Sequence, residues 1–167
     1  TLPDGSKRLL DIDRLATVIA EACGDLDGVS TAPIMEETRK NLYDGVTTGE
    51  LALAPIMAAR TLVEREPNYA SVSARLLLDK LRTEALSFVF DQPEQATQAE
   101  MGARYATYFP AAIKAGIKAD LIDPELSKFD LKKIAAAIKP ERDLNFQYLG
   151  LQTLYDRYFL HVKGSRF

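Results

Sequence analysis

The fold is decided around Tyr43-Asp44-Gly45-Val46-Thr47-Thr48, where a turn gives way to the start of a helix. Asp44-Gly45 has turn chemistry, because both residues tolerate the backbone angles of a tight turn. Thr47, with Glu50 three residues later, has the form of a capping box, in which each side chain accepts a hydrogen bond from the other residue's backbone amide. The stretch therefore predicts a helix starting at Thr47, which Pro55 should kink or split.

A second break, Glu66-Pro67-Asn68-Tyr69, separates that helix from the longest one in the chain. Proline lacks a backbone amide proton, so Pro67 marks the end of the preceding helical pattern. From Tyr69 to about Phe90 the apolar residues follow the helical period. They are Val72, Leu76, Leu77, Leu81 and Phe88.

Two shorter helices and a hairpin are predicted before the turn. The first eight or nine residues carry Asp4-Gly5 between short arms, which indicates a small β-hairpin. Asp11 then caps a first helix, and Ser30 opens a second helix that runs to about Tyr43. The inward positions of the first helix are Ile12, Leu15, Val18, Ile19, Ala22 and Cys23.

The second half of the chain is also predicted to be helical. A polar linker, 91–98, precedes a helix from Ala99 to Gly116 that Pro110 interrupts. Asp130 caps a short helix, and residues 144–160 are so rich in large apolar side chains that they must pack on something. We therefore predict a mainly α (all-α) protein with a first domain at 1–90, a linker at 91–98 and a helical segment at 99–167.

Composition narrows the function. The chain has 167 residues, a net charge of −3 and a pI near 5.3, which argues against a nucleic-acid partner. Its sequence offers no membrane span, so no membrane partner is expected. Cys23 is the one cysteine and agrees with a reducing cytoplasm. With His161 as the one histidine, neither a histidine-based metal cluster nor a Ser-His-Asp triad can form.

Two stretches resemble one family. The first helix, the Tyr43-Asp44-Gly45 turn and residues 66–76 stand in the order found in an ATP-cone, the small regulatory module of ribonucleotide reductase large subunits. Residues 140–159, which begin Pro140-Glu141-Arg142-Asp143-Leu144-Asn145, look like the helical stretch that follows the cone in class I large subunits. The resemblance covers nearly the whole chain and implies a four-helix cone with a short hairpin, followed by a helical segment.

That resemblance implies a parent enzyme that reduces ribonucleoside diphosphates by thiyl-radical chemistry. The chemistry needs a radical cysteine and a redox cysteine pair, which a chain with Cys23 alone cannot provide. The segment is therefore expected to be regulatory or structural and non-catalytic. The implied partners are the catalytic barrel of the same subunit, the small radical-generating subunit and other cones. A cone-bearing regulator without enzymatic activity, or a helical interaction module, remains an alternative.

The resemblance also points to residues that would hold ATP or dATP. Thr48 matches a family threonine, Arg14 keeps a family positive charge and Asp11 is an acidic variant of a polar position. Leu2 and Pro3 stand where a Lys-Arg pair is usual. The other departures are Arg8 in place of a carboxylate, Ala52 in place of a histidine, and Thr83, beside Arg82, in place of a basic residue.

We expect weak or absent binding of ATP and dATP. A charge-assisted phosphate contact contributes roughly 1.5–3 kcal/mol, so losing three cations should remove about 4 kcal/mol, nearly a thousandfold in affinity. Lys7 and Arg8 would restore part of this affinity if the hairpin turned them towards the phosphates. We favour the alternative, in which Arg8, Arg14 and Arg82 are solvated surface charges. The candidate nucleotide residues are Lys7, Arg8, Asp11, Arg14, Thr48, Arg82 and Thr83.

Overall fold

A computed structural model describes residues 1–2, 5–162 and 165–166, and within them the chain is mainly α-helical. The helices are α1 Ile12–Cys23, α2 Thr31–Lys40, α3 Thr48–Arg60, α4 Tyr69–Phe90, α5 Gln98–Lys118, α6 Leu131–Ala136 and α7 Tyr148–Arg157. Two 3₁₀ helices, Pro124–Lys128 and Pro140–Asn145, flank α6. Strands β1 His161–Val162 and β2 Ser165–Arg166 pair antiparallel, with His161 opposite Arg166.

The predicted helix starts are confirmed by their capping bonds. The Asp11 side chain accepts a hydrogen bond from the Arg14 amide at 2.8 Å and so begins α1. At α3 the Glu50 amide donates to Thr47 Oγ1 at 3.2 Å, while the Thr47 amide donates to Glu50 Oε2 at 2.9 Å. Both motifs satisfy amides that the first helical turn leaves without partners, which is why they can be recognised from sequence.

Neither internal proline ends its helix. Helix α3 runs through Pro55 and α5 runs through Pro110, so the expected division and interruption do not occur. Proline costs a helix about 3 kcal/mol. In α3 this cost is offset by burial, since Pro55 is buried and Ile56 and Ala59 beside it are 1% and 0% exposed.

The predicted N-terminal hairpin is wrong for the residues that can be described. The Leu2 amide donates a hydrogen bond to the Ser6 carbonyl at 2.8 Å, and the Gly5 amide donates to the Leu2 carbonyl at 2.9 Å. Residues 5–11 nevertheless form no strand. Leu9 is 95% exposed, so its side chain provides no apolar packing that could stabilise a strand there. Pro3 and Asp4 of the predicted turn lie outside the described residues. The β1–β2 pair near the other end was not predicted.

Helix α4 lies at the centre of the packing. It contacts α1, α3, α5 and α7, and its apolar residues Val72, Leu76 and Leu77 are at most 2% exposed. Other members of this core come from α1, α2, α3 and α7: Val18, Ile19, Ala22, Cys23, Ile34, Ile56, Ala59, Leu151 and Tyr155. Ile12, expected to point inward, is 50% exposed because the first turn of α1 projects beyond this core.

The apolar segment 144–160 packs mainly on the chain itself. Leu151 and Tyr155 of α7 are 0% and 5% exposed and belong to the core built around α4. Leu149 and Tyr158 remain 78% and 71% exposed. The expectation that something must cover this segment is therefore confirmed, and α4 provides most of the cover.

The close approach of α5 to the following loop depends on Gly116. A Cβ at Gly116 would lie 2.3 Å from Ile122 Cδ1 and 2.7 Å from its Cγ1, whereas a Cβ at Gly150 in α7 would meet nothing within 4 Å. We expect Gly116→Ala to lower the free energy of unfolding by about 1–3 kcal/mol through overpacking. Gly150→Ala, the control, should raise it by up to about 1 kcal/mol through helix propensity. Urea titrations that rank the two variants equally would contradict this account.

Candidate functional site

Two of the predicted nucleotide residues, Arg14 and Arg82, lie at the carboxylate of Asp79, and a third, Thr83, contacts the backbone carbonyl of the same residue. Asp79 of α4 accepts hydrogen bonds from Arg14 of α1, with Nη2 to Oδ1 at 3.0 Å and Nη1 to Oδ2 at 3.4 Å. Arg82 Nη2 lies 3.9 Å from the same Oδ1. Thr83 Oγ1 donates to the Asp79 carbonyl at 3.1 Å. The forked geometry at Arg14 is the one in which guanidinium and carboxylate pair most strongly.

Burial strengthens this ion pair. The side chains of Arg14 and Asp79 are 23% and 14% exposed, so water screens their attraction less than it screens an open surface pair. The expectation that Arg14 is a solvated surface charge is therefore wrong. Its guanidinium is already engaged, and a phosphate that approached it would have to compete with Asp79.

Arg82 is the clearer correction, because its side chain is only 7% exposed. Nε donates to the Ala96 carbonyl at 3.2 Å and Nη1 donates to Gln98 Oε1 at 2.8 Å. Burial lowers the pKa of the Arg82 guanidinium, and the nearby Asp79 carboxylate opposes that shift. Arg82 therefore holds the end of the predicted linker and the start of α5 against α4. Its position on α4 alone could not show this.

The other predicted residues do not join the Asp79 cluster. Lys7 Nζ lies 3.7 Å from Asp44 Oδ2, with both side chains well exposed, and Arg8 is exposed as expected. Asp11 serves as the cap of α1. Thr48 is exposed, and its amide donates to the Thr1 carbonyl at 3.1 Å. Of the replaced positions, Leu2 and Ala52 are half-buried and Pro3 lies outside the described residues.

Two polar clusters were missed by sequence reasoning. Tyr105 of α5 donates to Asp143 Oδ2 at 2.5 Å. Tyr155 of α7 donates to Glu84 Oε1 at 2.6 Å and accepts from Lys80 Nζ at 2.7 Å. The spacing of Lys80 and Glu84, four residues apart on α4, was a visible signal for an ion pair. Nothing in the sequence linked that pair to a tyrosine 71 residues away.

The described cavities are poorly suited to a nucleotide. The space between α4 and α5 measures about 90 Å³ and is lined by Arg82, Tyr105, Tyr108, Asp143 and apolar neighbours. A shallow depression of about 520 Å³ lies over the outer face of α2, around Met35 and Arg39. Ligand pockets usually enclose about 300–1,000 Å³. The first space is too small, and the second contains none of the candidate nucleotide residues.

The chain resembles one set of enzymes along almost its whole length. It is 38% identical over 165 residues, or 98% of the chain, to the ribonucleoside-diphosphate reductase subunit alpha of Chlamydia muridarum. It is 33% identical over 153 residues, 90% of the chain, to the subunit of the same name from Helicobacter pylori. The large subunit from Danio rerio is 26% identical over 164 residues, 97% of the chain. No family model matches the chain.

These matches cover only a fraction of each relative. The chain spans 15% of the Chlamydia muridarum subunit, 18% of the Helicobacter pylori subunit and 20% of the Danio rerio subunit. The likeness therefore relates this chain to one segment of a reductase large subunit.

Replacing Arg82 with methionine tests its role at the junction. Arg82→Met keeps the length of the side chain but leaves the buried Ala96 carbonyl without its Nε donor. We expect it to lower the free energy of unfolding by about 2–3 kcal/mol. Arg39→Met, on the exposed face of α2, is the control and should change the value by less than about 0.5 kcal/mol. Equal urea midpoints for the two variants would show that Arg82 is not a junction residue.

The half-buried tyrosine Tyr108 of α5 predicts a loss of stability in alkali. Burial raises the pKa of Tyr108 to about 12. Between pH 10 and pH 12 the unfolded chain releases this proton while the folded chain retains it, so stability falls as pH rises. Two pKa units correspond to about 2.7 kcal/mol. At pH 11.5, still below the folded pKa, the loss attributable to Tyr108 is about 2 kcal/mol. Urea titrations at pH 9 and pH 11.5 should show that Tyr108→Phe removes this loss, whereas Tyr158→Phe, at an exposed site, does not.

Proposed function

We propose that the chain forms a regulatory and structural region of a ribonucleoside-diphosphate reductase large subunit, because 90–98% of it is similar to one segment of such subunits. The parent enzyme would reduce ribonucleoside diphosphates to deoxyribonucleotides. The observation that carries the proposal is the 38% identity, over 98% of the chain, to the subunit alpha of Chlamydia muridarum. The Helicobacter pylori and Danio rerio relatives are also ribonucleoside-diphosphate reductase subunits.

The chemistry of the chain supports a non-catalytic role. Thiyl-radical reduction needs several reactive cysteines, and this sequence contains Cys23 alone. Cys23 is buried in α1, and burial raises the pKa of its thiol, although the nearby Arg75 opposes the shift. A thiol kept protonated in a core is a poor nucleophile and a poor redox partner. The radical chemistry would therefore belong to the part of the subunit outside this chain.

Helices α1 to α4 supply the scaffold of an ATP-cone-like module in this proposal. The capping bonds of Asp11 and Thr47 and the central burial of α4 support it, since they maintain the helices without any ligand. Adenine nucleotide would be bound weakly or not at all. The pairing of Arg14 with Asp79 supports that, because the retained family cation is already neutralised.

The parent assembly follows from the same proposal. This region would contact the catalytic barrel of its own subunit. By also contacting other cones or the small radical-generating subunit, it would influence how large and small subunits assemble. A ligand or partner can do this only by favouring one assembled state over another. No helix in the described part of the chain could span a membrane. The parent enzyme would act in the cytoplasm, with which the single cysteine of this sequence agrees.

Calorimetry tests the expected weakness of nucleotide binding. Titration of ATP and of dATP into the chain at physiological salt should give no saturating binding curve at micromolar nucleotide concentrations. The reason is the loss of the cations at positions 2, 3 and 83. Micromolar binding of either nucleotide by the unmodified chain would contradict the proposal that the site is degenerate.

A restored set of residues tests the same idea from the other side. The quadruple variant Leu2→Lys, Pro3→Arg, Ala52→His, Thr83→Lys should bind ATP at least tenfold more tightly than any of its single variants. Converging charges on one polyphosphate reinforce one another, so the gain should exceed that of separate changes. A quadruple variant that folds, by circular dichroism, and binds no better than the single variants would refute this assignment of positions.

A further inference from the structure

The lysines of residues 114–139 differ from the other described lysines in having few carboxylate partners. Lys7, Lys40 and Lys80, elsewhere in the chain, each form an ion pair with a carboxylate. Of the six lysines in residues 114–139, Lys128 alone has such a partner within the described part of the chain. The five without a partner are all exposed: Lys114, Lys118, Lys132, Lys133 and Lys139. Their charges are therefore available to another molecule.

The carboxylates of the same stretch are mostly engaged in local bonds. Asp123 caps the 3₁₀ helix that follows it, and Asp130 caps α6. Glu125 forms the ion pair with Lys128. With six lysines and four carboxylates, the stretch has a net charge of +2 in a chain whose net charge is −3. It is therefore a basic region on an acidic protein.

Large apolar side chains are exposed in the same stretch as these lysines. Phe129 is 60% exposed, and Leu121, Leu126 and Ile134 are 40–41% exposed. The Phe129 amide donates to the Leu126 carbonyl at 3.3 Å, and residues three apart in such a 3₁₀ turn lie on the same side. A group of exposed apolar side chains with a polar border is typical of a protein–protein interaction site.

The described part of the chain does not cover these apolar side chains. The 3₁₀ helix Pro124–Lys128 and α6 both pack on α5, and Ala135 is the one residue of α6 that becomes buried there. Neither of the two buried apolar clusters of the described chain includes a residue from 109–139. Any cover for Phe129 would therefore have to come from another molecule or from another part of a larger protein.

We propose that this surface is a docking site for another protein, whose contacting segment carries carboxylates beside apolar side chains. We call it the basic face, and its members are Lys114, Lys118, Leu121, Leu126, Phe129, Lys132, Lys133, Ile134 and Lys139. The exposed lysines would lie opposite the partner's carboxylates, which gives the complex specificity and speeds its formation. Phe129 would be the apolar anchor, because a few buried aromatic side chains supply much of the binding energy of an interface. The inference does not depend on the proposed function.

Three other kinds of occupant fit the basic face less well. A second copy of the same face would bring the lysines of both copies together, since a twofold interface pairs each patch with itself. A nucleic acid or an anionic membrane presents charge of one sign, which would repel Asp120, Asp123 and Asp130 within the stretch. A protein segment can place its carboxylates opposite the lysines and its apolar side chains opposite Phe129.

The test uses two fluorescein-labelled peptides of about 18 residues, the length of an amphipathic helix of about five turns. One peptide combines leucine with glutamate, and the other combines leucine with lysine in the same pattern. Fluorescence polarisation measures the affinity of each peptide for the whole chain at physiological salt. We expect the glutamate peptide to bind with a micromolar dissociation constant, and the lysine peptide to bind at least about tenfold more weakly.

Two variants of the basic face should weaken binding of the glutamate peptide. Lys132→Glu with Lys133→Glu reverses two of its charges and should lower the affinity at least about tenfold. This double variant should fold, because the helix dipole favours carboxylates in the first turn of α6. Phe129→Ser should lower the affinity about tenfold through loss of the anchor. Circular dichroism checks that both variants keep their helices.

Matched controls change the same kinds of residue outside the basic face. Lys7→Glu with Arg8→Glu makes the same change in net charge at two neighbouring exposed positions. Leu9→Ser removes an apolar side chain that is 95% exposed. Both controls should change the affinity by less than about twofold, since general effects of net charge are screened at physiological salt.

The proposal would be overturned if the glutamate peptide did not bind, or if the controls lost as much affinity as the variants of the basic face. Vesicles of anionic phospholipid and a single-stranded oligonucleotide test two of the other occupants. Tighter binding of either one than of the peptide, lost in Lys132→Glu with Lys133→Glu, would overturn the proposal in favour of that occupant. A sedimentation mass that rises with concentration, and returns to that of the monomer in Phe129→Ser, would instead identify an interface between copies of this chain and would also overturn it.

Discussion

The burial of α4 on several sides is the constraint on which the rest of the structure depends. Leu76, Leu77 and Leu78 are consecutive, and all are buried, at 2%, 1% and 7% exposure. Three successive positions point in three directions around a helix, so no single neighbour can cover them. The other helices that contact α4 are arranged as they are because each covers a different side of it.

A helix enclosed in this way also encloses some of its polar side chains, and those side chains determine how the neighbours are joined. Arg75 donates to the Ala22 carbonyl at the end of α1. Arg82 reaches the start of α5, and Lys80 reaches Tyr155 of α7. Buried polar groups must find partners at fixed distances, whereas apolar contacts tolerate sliding. These bonds therefore specify where each neighbouring helix lies along α4.

Local signals made much of the secondary structure predictable, and tertiary contacts explain the misses. The starts of α1 and α3 depend on side chains within four residues, and the bounds of α4 follow from Pro67 and a long apolar period. The effect of Pro55 was misjudged because burial offsets its cost, while nothing in the structure explains why α5 runs through Pro110. In the candidate site, the resemblance supplied Arg14 and Thr83, but neither spacing nor composition singled out Asp79, whose importance comes from the packing of α1 against α4. The predicted division of the chain at 91–98 stays a prediction.

The contacts of Tyr155 have a consequence for the order in which the chain can fold during synthesis. Its hydroxyl donates to Glu84, 71 residues earlier, and the Arg166 guanidinium lies 4.0 Å from its ring centroid. Until the ribosome has released α7, the side of α4 that carries Lys80 and Glu84 lacks its covering helix. Domains fold as units during translation, and incompletely covered helices are exposed to aggregation meanwhile. One side of the central helix is therefore covered only after α7 has been synthesised, and until then its apolar residues there are exposed to aggregation.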